Sequence, residues 1–180
     1  MPRARLFLFL SLCVFAACGR DLELTLIQAA ERGDLETVKM LAERGVDVNA
    51  RGEYGSTALM KATIKGHTEI VTILLIQGAD VNTKNRFGAT ALMYVAGNGQ
   101  VATARQLLVY GADVNTENHT GWTALMEAAR QGNIELVRLL LAAGAQVNAQ
   151  SKPGWTALKA AQIYQQNEIA NLLINAGARE

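Results

Sequence analysis

Residues 55–87 read GSTALMKATIKGHTEIVTILLIQGADVNTKNRF, and the pattern of predicted helices and turns is clearest in this stretch. Thr57 is a good N-cap for a first helix, in which apolar residues recur at helical spacing until Gly66. Thr68 can cap a second helix, whose wide apolar stripe continues to Gly78. A polar turn follows, in which Asp and Asn side chains bond to nearby backbone. The stretch therefore predicts two short helices joined by a tight turn and followed by a loop.

The same pattern returns along the chain with a fixed period of 33 residues. Three positions of the repeat keep this register. They are the glycines that open a Gly-x-Thr-Ala-Leu run (Gly55, Gly88, Gly121, Gly154), a second set of glycines (Gly45, Gly78, Gly111, Gly144, Gly177) and the asparagines Asn49, Asn82, Asn115 and Asn148. One helix pair cannot bury its apolar stripe alone, whereas stacked neighbours can. The equivalent leucines are expected to form two core ladders, namely Leu26, Leu59, Leu92, Leu125, Leu158 and Leu41, Leu74, Leu107, Leu140, Leu173.

A 33-residue period with this helix pattern resembles the ankyrin repeat. The resemblance covers about residues 20–180. It implies an all-α ankyrin repeat solenoid of five stacked helix-turn-helix units, with β-turn or hairpin loops between the units. The expected units are 22–54, 55–87, 88–120, 121–153 and 154–180.

The first residues have the features of an export signal. Arg3 and Arg5 precede LFLFLSLCVFAA at 6–17, a helix-length of about 18 Å that is too short to cross a hydrocarbon core of about 30 Å. Residues 15–19, Phe-Ala-Ala-Cys-Gly, resemble the bacterial lipobox, in which the Cys is lipidated and becomes the new N-terminus. We therefore predict a signal peptide over 1–17, lipidation at Cys18 and a short linker over 18–21. Plain cleavage near Ala17 is the alternative.

A lipidated Cys18 would place the protein on the periplasmic face of the bacterial outer membrane, since Gly19 is not the Asp that resembles an inner-membrane retention mark. The alternative location is the soluble periplasm or the medium. Several acyl chains, at about 0.8 kcal/mol per buried CH₂, would make the anchor permanent. An effector passed on to host cells is disfavoured, because a lipidated protein stays with its membrane.

Composition argues against several functional classes. Seventeen Lys and Arg against 16 Asp and Glu give a net charge of +1, which is no basic footprint for nucleic acid. Both cysteines lie in the first 18 residues, and the two histidines are 52 residues apart, so neither a metal site nor a cofactor is expected. The usual nucleophile and base sets are missing, and we predict that the chain is not an enzyme.

Partner proteins of ankyrin repeats usually bind the concave side, made of loop tips and first helices, and the resemblance carries this expectation to the matching positions here. We expect the partner-binding residues to be Tyr54, Arg86, Phe87, His119, Trp122 and Trp155, with Tyr110 extending the surface. Aromatic side chains dominate interface hot spots because they bury large areas with few rotors. For Trp122 and Trp155 the alternative is a structural role, in which the rings pack on the next loop.

The sequence thus predicts a monomeric, non-catalytic interaction module, anchored in the bacterial envelope, that binds another protein. Its family suggests a helper or inhibitor of an envelope enzyme, such as a catalase or lipase, or an immunity protein against a toxin. A structural tether that merely holds an envelope component near the membrane is the other alternative.

Overall fold

The computed structural model describes residues 19–179, and the predicted signal peptide 1–17, Cys18 and Glu180 lie outside the described residues. The described chain contains ten α-helices in five consecutive pairs. Their bounds are 19–32 for the described part of α1, then α2 Leu35–Glu43, α3 Ala58–Lys65, α4 Thr68–Ile76, α5 Ala91–Asn98, α6 Val101–Val109, α7 Ala124–Gln131, α8 Ile134–Ala142, α9 Ala157–Ile163 and α10 Asn167–Asn175. The predicted all-α solenoid of helix-turn-helix units is confirmed.

The loops between pairs are turns, and residues 19–179 contain no strand. One isolated antiparallel bridge joins Glu117 to Thr123, and a short 3₁₀ turn covers Glu53–Gly55. The loops thus reverse the direction of the chain as a hairpin does, but they lack the ladder of hydrogen bonds between two strands. No helix among the described residues combines the length and the apolar character needed to cross a membrane.

Capping side chains begin most of the odd-numbered helices. The Thr57 hydroxyl accepts a hydrogen bond from the Met60 N–H at 3.3 Å, and Thr123 and Thr156 cap α7 and α9 in the same way. Thr90 occupies the equivalent position before α5 without making this bond. Gly66 ends α3 at φ +76°, the left-handed conformation that glycine adopts most readily.

Two local predictions are wrong. Thr68 does not cap α4, because His67 is the N-cap and Thr68 is already helical, with its hydroxyl 3.1 Å from that of Thr103 on α6. Residues 19–21, predicted as the end of a linker, belong to the first helix. No proline interrupts this segment, and the Thr25 hydroxyl donates to the Asp21 carbonyl at 2.7 Å, one helical turn earlier.

The core runs the length of the stack. All ten leucines of the two predicted ladders are buried, none with more than 2% of its surface exposed. Alanines at 29, 62, 128 and 161 are fully buried on the odd-numbered helices, so these helices can lie close together. Each helix pair therefore buries its apolar stripe against its neighbours, as expected of a repeat stack.

A ladder of asparagines joins the turns that follow the even-numbered helices. The Asn82 amide donates to the Gly111 carbonyl at 2.9 Å, and its carbonyl oxygen accepts from the Asp113 N–H at 2.8 Å. Asn49, Asn115 and Asn148 make the same two bonds with their following units. One side chain per unit thus satisfies two backbone groups of the next unit and fixes the stacking register.

Candidate functional site

The tips of the interunit loops lie side by side and are joined through their backbones. We call residues 51–54, 84–87, 117–120 and 150–153 the loop edge. The Arg86 N–H donates to the Tyr54 carbonyl at 2.8 Å, the His119 N–H to the Phe87 carbonyl at 3.1 Å, and Lys152 to Thr120 at 2.9 Å. Each tip is therefore fixed relative to the next, and the side chains of the edge project from a continuous backbone.

The glycine after each tip allows this close approach. A methyl group added to Gly88, whose φ is +77°, would lie 2.8 Å from the His119 backbone nitrogen. At Gly121 the nearest atom would be Cα of Ser151 at 3.0 Å, and at Gly55 the Arg86 nitrogen at 3.4 Å. At Gly88 and Gly121 glycine is thus required by the neighbouring loop as well as by its own conformation.

Tyr54 and Phe87 form an aromatic pair on the loop edge. Their ring centroids are 6.0 Å apart with the planes tilted by 30°. Tyr54 is 53% exposed and Phe87 is 58% exposed, so the pair presents a large apolar surface to solvent. Exposed, preorganised aromatics of this kind are what an interface hot spot requires.

The backbone of Tyr54 is strained in a way that the other tips are not. Its φ is +55°, and among residues 19–179 only Gln165 is another non-glycine residue with positive φ. In the other loops a side chain shapes the turn: Asn85 accepts bonds from the N–H groups of Phe87 and Ala89. Gly52 occupies the matching position in the first loop and has no side chain, so this loop forms the 3₁₀ turn with Tyr54 left-handed.

Trp122 and Trp155 form a second pair, with ring centroids 5.8 Å apart and planes at 58°. Both are half-buried. The Trp122 indole N–H donates to a carboxylate oxygen of Glu127 at 3.0 Å. These contacts join Trp122 to α7 and to the next unit, and for both tryptophans the partner-binding role and the structural alternative stay predictions.

The remaining predicted residues occupy two different places. Arg86 and His119 are exposed on the loop edge, beside the first aromatic pair. Tyr110 is the C-cap of α6 and 45% exposed, next to Gly111, which accepts the bond from Asn82. Tyr110 therefore lies at the asparagine ladder, and it belongs to neither aromatic pair.

A polar cluster on the odd-numbered helices was missed by the sequence analysis. Glu127 on α7 accepts two bonds from Arg130, at 2.6 and 3.1 Å, and a third from Gln131 at 3.0 Å. The Arg130 guanidinium also lies 5.6 Å from the ring centroid of Tyr164. The sequence holds one signal for this cluster, since the residue after Thr-Ala-Leu-Met or Thr-Ala-Leu-Lys varies from unit to unit.

Burial and bonding act in opposite directions on Glu127. Burial is the largest single effect and raises the pKa of its carboxyl, but the bonds from Arg130, Gln131 and Trp122 together outweigh it and lower the pKa. The bond to Glu127 is also the main reason that the pKa of Arg130 is raised. Glu127 and Arg130 are thus a fixed ion pair, and neither is poised to exchange protons near neutral pH.

A groove of about 290 Å³ adjoins this cluster, between α5 and α7. Met93, Tyr94, Gly97, Trp122 and Glu127 are among its lining residues. The Tyr94 hydroxyl accepts a bond from the Asn85 amide at 2.7 Å, which ties the groove to the loop edge. The groove and the loop edge thus form one continuous surface made by loops and odd-numbered helices.

The loop edge and the groove present aromatic rings, guanidinium groups and amides. Residues 19–179 contain no group of three or more His, Cys, Asp or Glu side chains able to hold a metal ion. The fold and this surface define the class as a repeat solenoid with an exposed face of aromatic and polar side chains.

Comparison with known families identifies the chain. It matches the family described as Ankyrin repeats (3 copies) over four overlapping segments, residues 9–85, 26–118, 73–151 and 92–179. The chain belongs to the ankyrin repeat proteins, whose repeats generally mediate protein–protein interaction and are typically non-catalytic. No curated protein matches the chain.

Proposed function

We propose that this chain is an exported bacterial protein, anchored in the envelope by a lipid on Cys18, that binds a partner protein through the loop edge and the adjoining groove. The observation that carries the binding site is the exposed Tyr54–Phe87 pair, 53% and 58% exposed, on a backbone that hydrogen bonds hold in place. The repeats of this family generally bind proteins, and this surface combines exposed aromatic side chains with a backbone that hydrogen bonds hold in place.

The mechanism is preorganisation. A binding loop that must order itself pays about 0.5–1.5 kcal/mol for each immobilised side chain rich in rotamers. Here the tips are already joined to one another, and Tyr54 keeps a strained backbone in the free protein. A patch of two aromatic rings can therefore hold a partner with little further ordering.

The binding site is tested by truncating the pair. Tyr54→Ala together with Phe87→Ala should weaken partner capture by about tenfold or more, as expected when hot-spot aromatics are removed. Both rings are exposed, so the free energy of unfolding should change by about 1 kcal/mol or less. Crosslinking in intact cells followed by mass spectrometry identifies and quantifies the partner.

The chain offers a matched control for this experiment. Ile76 at the end of α4 and Val109 at the end of α6 are 64% and 78% exposed, and both lie on even-numbered helices. Ile76→Ala with Val109→Ala removes exposed apolar surface away from the loop edge and should leave capture unchanged. Equal capture by the Tyr54/Phe87 double variant and the wild type would refute the assignment.

The lipid anchor rests on the sequence of residues 15–19 and has its own test. Cys18→Ser should release the protein into the soluble periplasmic fraction, since the acyl chains supply the membrane affinity. Unchanged membrane fractionation would rule out the lipid. The binding proposal does not depend on this result, because the partner site is built from residue 51 onwards.

The role of the binding follows from the partner. A crosslinked catalase, lipase or toxin would select helper, inhibitor or immunity function, and neighbouring genes give the same hint more cheaply. A structural tether differs in one measurable way, because it would tolerate substitutions throughout the loop edge and the groove without loss of envelope function.

A further inference from the structure

The loop edge has a larger excess of positive charge than the chain as a whole. Arg51, Lys84, Arg86 and Lys152 lie on it, against Glu53 and Glu117, and all six side chains are exposed. The chain as a whole has a formal net charge of only +1. Positive charge is therefore concentrated at this edge and balanced elsewhere.

The balancing acids lie at the other end of the helices. Glu36, Glu69, Glu135 and Glu168 all occupy the first turns of even-numbered helices. In units 2 to 5 the odd-numbered helix leads away from the loops for seven or eight residues, a length of about 12 Å. The even-numbered helix of the unit begins at this far end. Lys65 and Arg130 lie at the same end, in the last turns of α3 and α7, so these glutamates balance the basic loop edge only in part.

Two of the four basic side chains of the edge, Arg51 and Lys84, are held in place by backbone carbonyls, and none of the four is in an ion pair. The Arg51 guanidinium donates to the Lys84 carbonyl, and the Lys84 ammonium donates to the Glu117 carbonyl at 3.1 Å. The ion pairs within residues 19–179 are Lys39–Glu36, Lys61–Glu31 and Arg130–Glu127, none of which involves an edge cation. Backbone carbonyls position Arg51 and Lys84 without removing their charge, and all four edge cations remain available to a partner.

We infer that the loop edge binds an acidic segment of the partner protein, with an apolar side chain seated on the Tyr54–Phe87 pair and carboxylates directed at Arg86 and the other edge cations. This inference rests on the proposed function and adds the chemistry of the partner. Complementary charge steers encounter and selects partners, while the aromatic pair supplies apolar contact. A nucleic acid partner is disfavoured, because the chain has a pI of about 7.8.

The probe is a fluorescein-labelled synthetic peptide of alternating Glu and Leu residues, and the control is the corresponding peptide of Lys and Leu. Binding of each peptide to the full chain is measured by fluorescence anisotropy. The acidic peptide should bind and the basic peptide should not. Affinity should fall as salt rises from about 0.1 M to about 1 M, because the screening length shortens from about 10 Å to about 3 Å.

Charge reversal locates the site. Arg86→Glu with Lys152→Glu should weaken binding of the acidic peptide by about tenfold or more, as for close charge pairs across an interface. Arg105→Glu with Arg138→Glu makes the same change of charge at exposed positions of α6 and α8, and should change affinity by about twofold or less. Circular dichroism of both double variants confirms that they are folded.

Three results would overturn the inference: no binding of the acidic peptide, equal loss in the two double variants, or loop-edge binding of phosphatidylglycerol vesicles or single-stranded DNA in place of the peptide. The proposed function fails separately. If the partner crosslinked in cells depends on Tyr54 and Phe87 but not on Arg86 and Lys152, the partner site stands and its acidic chemistry is wrong. If it depends on neither pair, both proposals fall.

Discussion

Gly88→Ala tests whether contact between successive loops stabilises the stack. Gly88 has φ +77°, and a methyl group there would meet the His119 backbone nitrogen at 2.8 Å and its ring at 2.7 Å. Gly154 has nearly the same φ, +75°, but belongs to the last unit, and nothing lies within 4 Å of the equivalent methyl position. The two substitutions share the conformational cost and differ in the contact.

The expected magnitudes follow from these two parts. An alanine in the left-handed region costs about 1–2 kcal/mol, offset by about 0.4–1 kcal/mol because alanine restricts the unfolded chain. Gly154→Ala should therefore destabilise by about 1 kcal/mol. At Gly88 the added methyl must also displace backbone, which costs about 1–3 kcal/mol more. The free energy of unfolding should therefore fall by about 2–4 kcal/mol in total.

The distances predict a ranking that urea unfolding can check. The free energy of unfolding should fall least for Gly154→Ala and Gly55→Ala, more for Gly121→Ala with its 3.0 Å contact, and most for Gly88→Ala. Gly111→Ala is an interior control, with φ +85° and open space around it, so local fraying of the last unit cannot account for the difference. Equal destabilisation at all of these positions would refute the interloop contact as a source of stability.

Three further predictions concern single side chains. Asn82→Ala removes two interunit bonds, of 2.9 and 2.8 Å, and should lower the free energy of unfolding by about 1–3 kcal/mol in a urea titration. Thr57→Ala removes a cap bond and should cost about 1 kcal/mol more than would the removal of the Thr90 hydroxyl, which makes no such bond; the pair of alanine variants measures the difference by thermal unfolding. The pKa of Glu127 is lowered in the folded protein, so its charged form stabilises the fold above its unfolded pKa near 4.5, and this contribution is lost as the pH falls through the lower folded value. Glu127→Gln should therefore make the free energy of unfolding less dependent on pH below about pH 4.5. An unchanged pH dependence in this acidic range would contradict the ion pair.

The fold could be predicted from the sequence because each unit repeats the same physical requirements. The glycine after each even-numbered helix, the threonine before α3, α5, α7 and α9, and the two leucine ladders all recur every 33 residues. The prediction of a helix cap failed where a distant side chain competes with the local pattern. Thr68 looks like a cap, but its hydroxyl is 3.1 Å from Thr103 on the neighbouring helix, a partner 35 residues away that no local pattern reveals.

The candidate site could be predicted only in part. The aromatic residues stand out in sequence, but nothing in their spacing says that Tyr54 pairs with Phe87 or Trp122 with Trp155. The Glu127 cluster depends on side chains that reach across a helix turn and on Tyr164 of the next unit. Such contacts depend on rotamers and on the distance between stacked units, which a repeat pattern does not fix.

Agreement and disagreement among the units therefore carry different information. Where units agree, as at the asparagine ladder, the residue satisfies the backbone of the next unit and serves the fold. Where they disagree, the stack does not require the residue found there. Gly52 stands where later loops have Asn or Ser, and the consequence is a strained Tyr54 at the exposed end of the aromatic pair. This strain lies at an exposed residue of the proposed partner site, and the ring of Tyr54 makes no buried core contact, which is why substitutions at Tyr54 should change binding before they change stability.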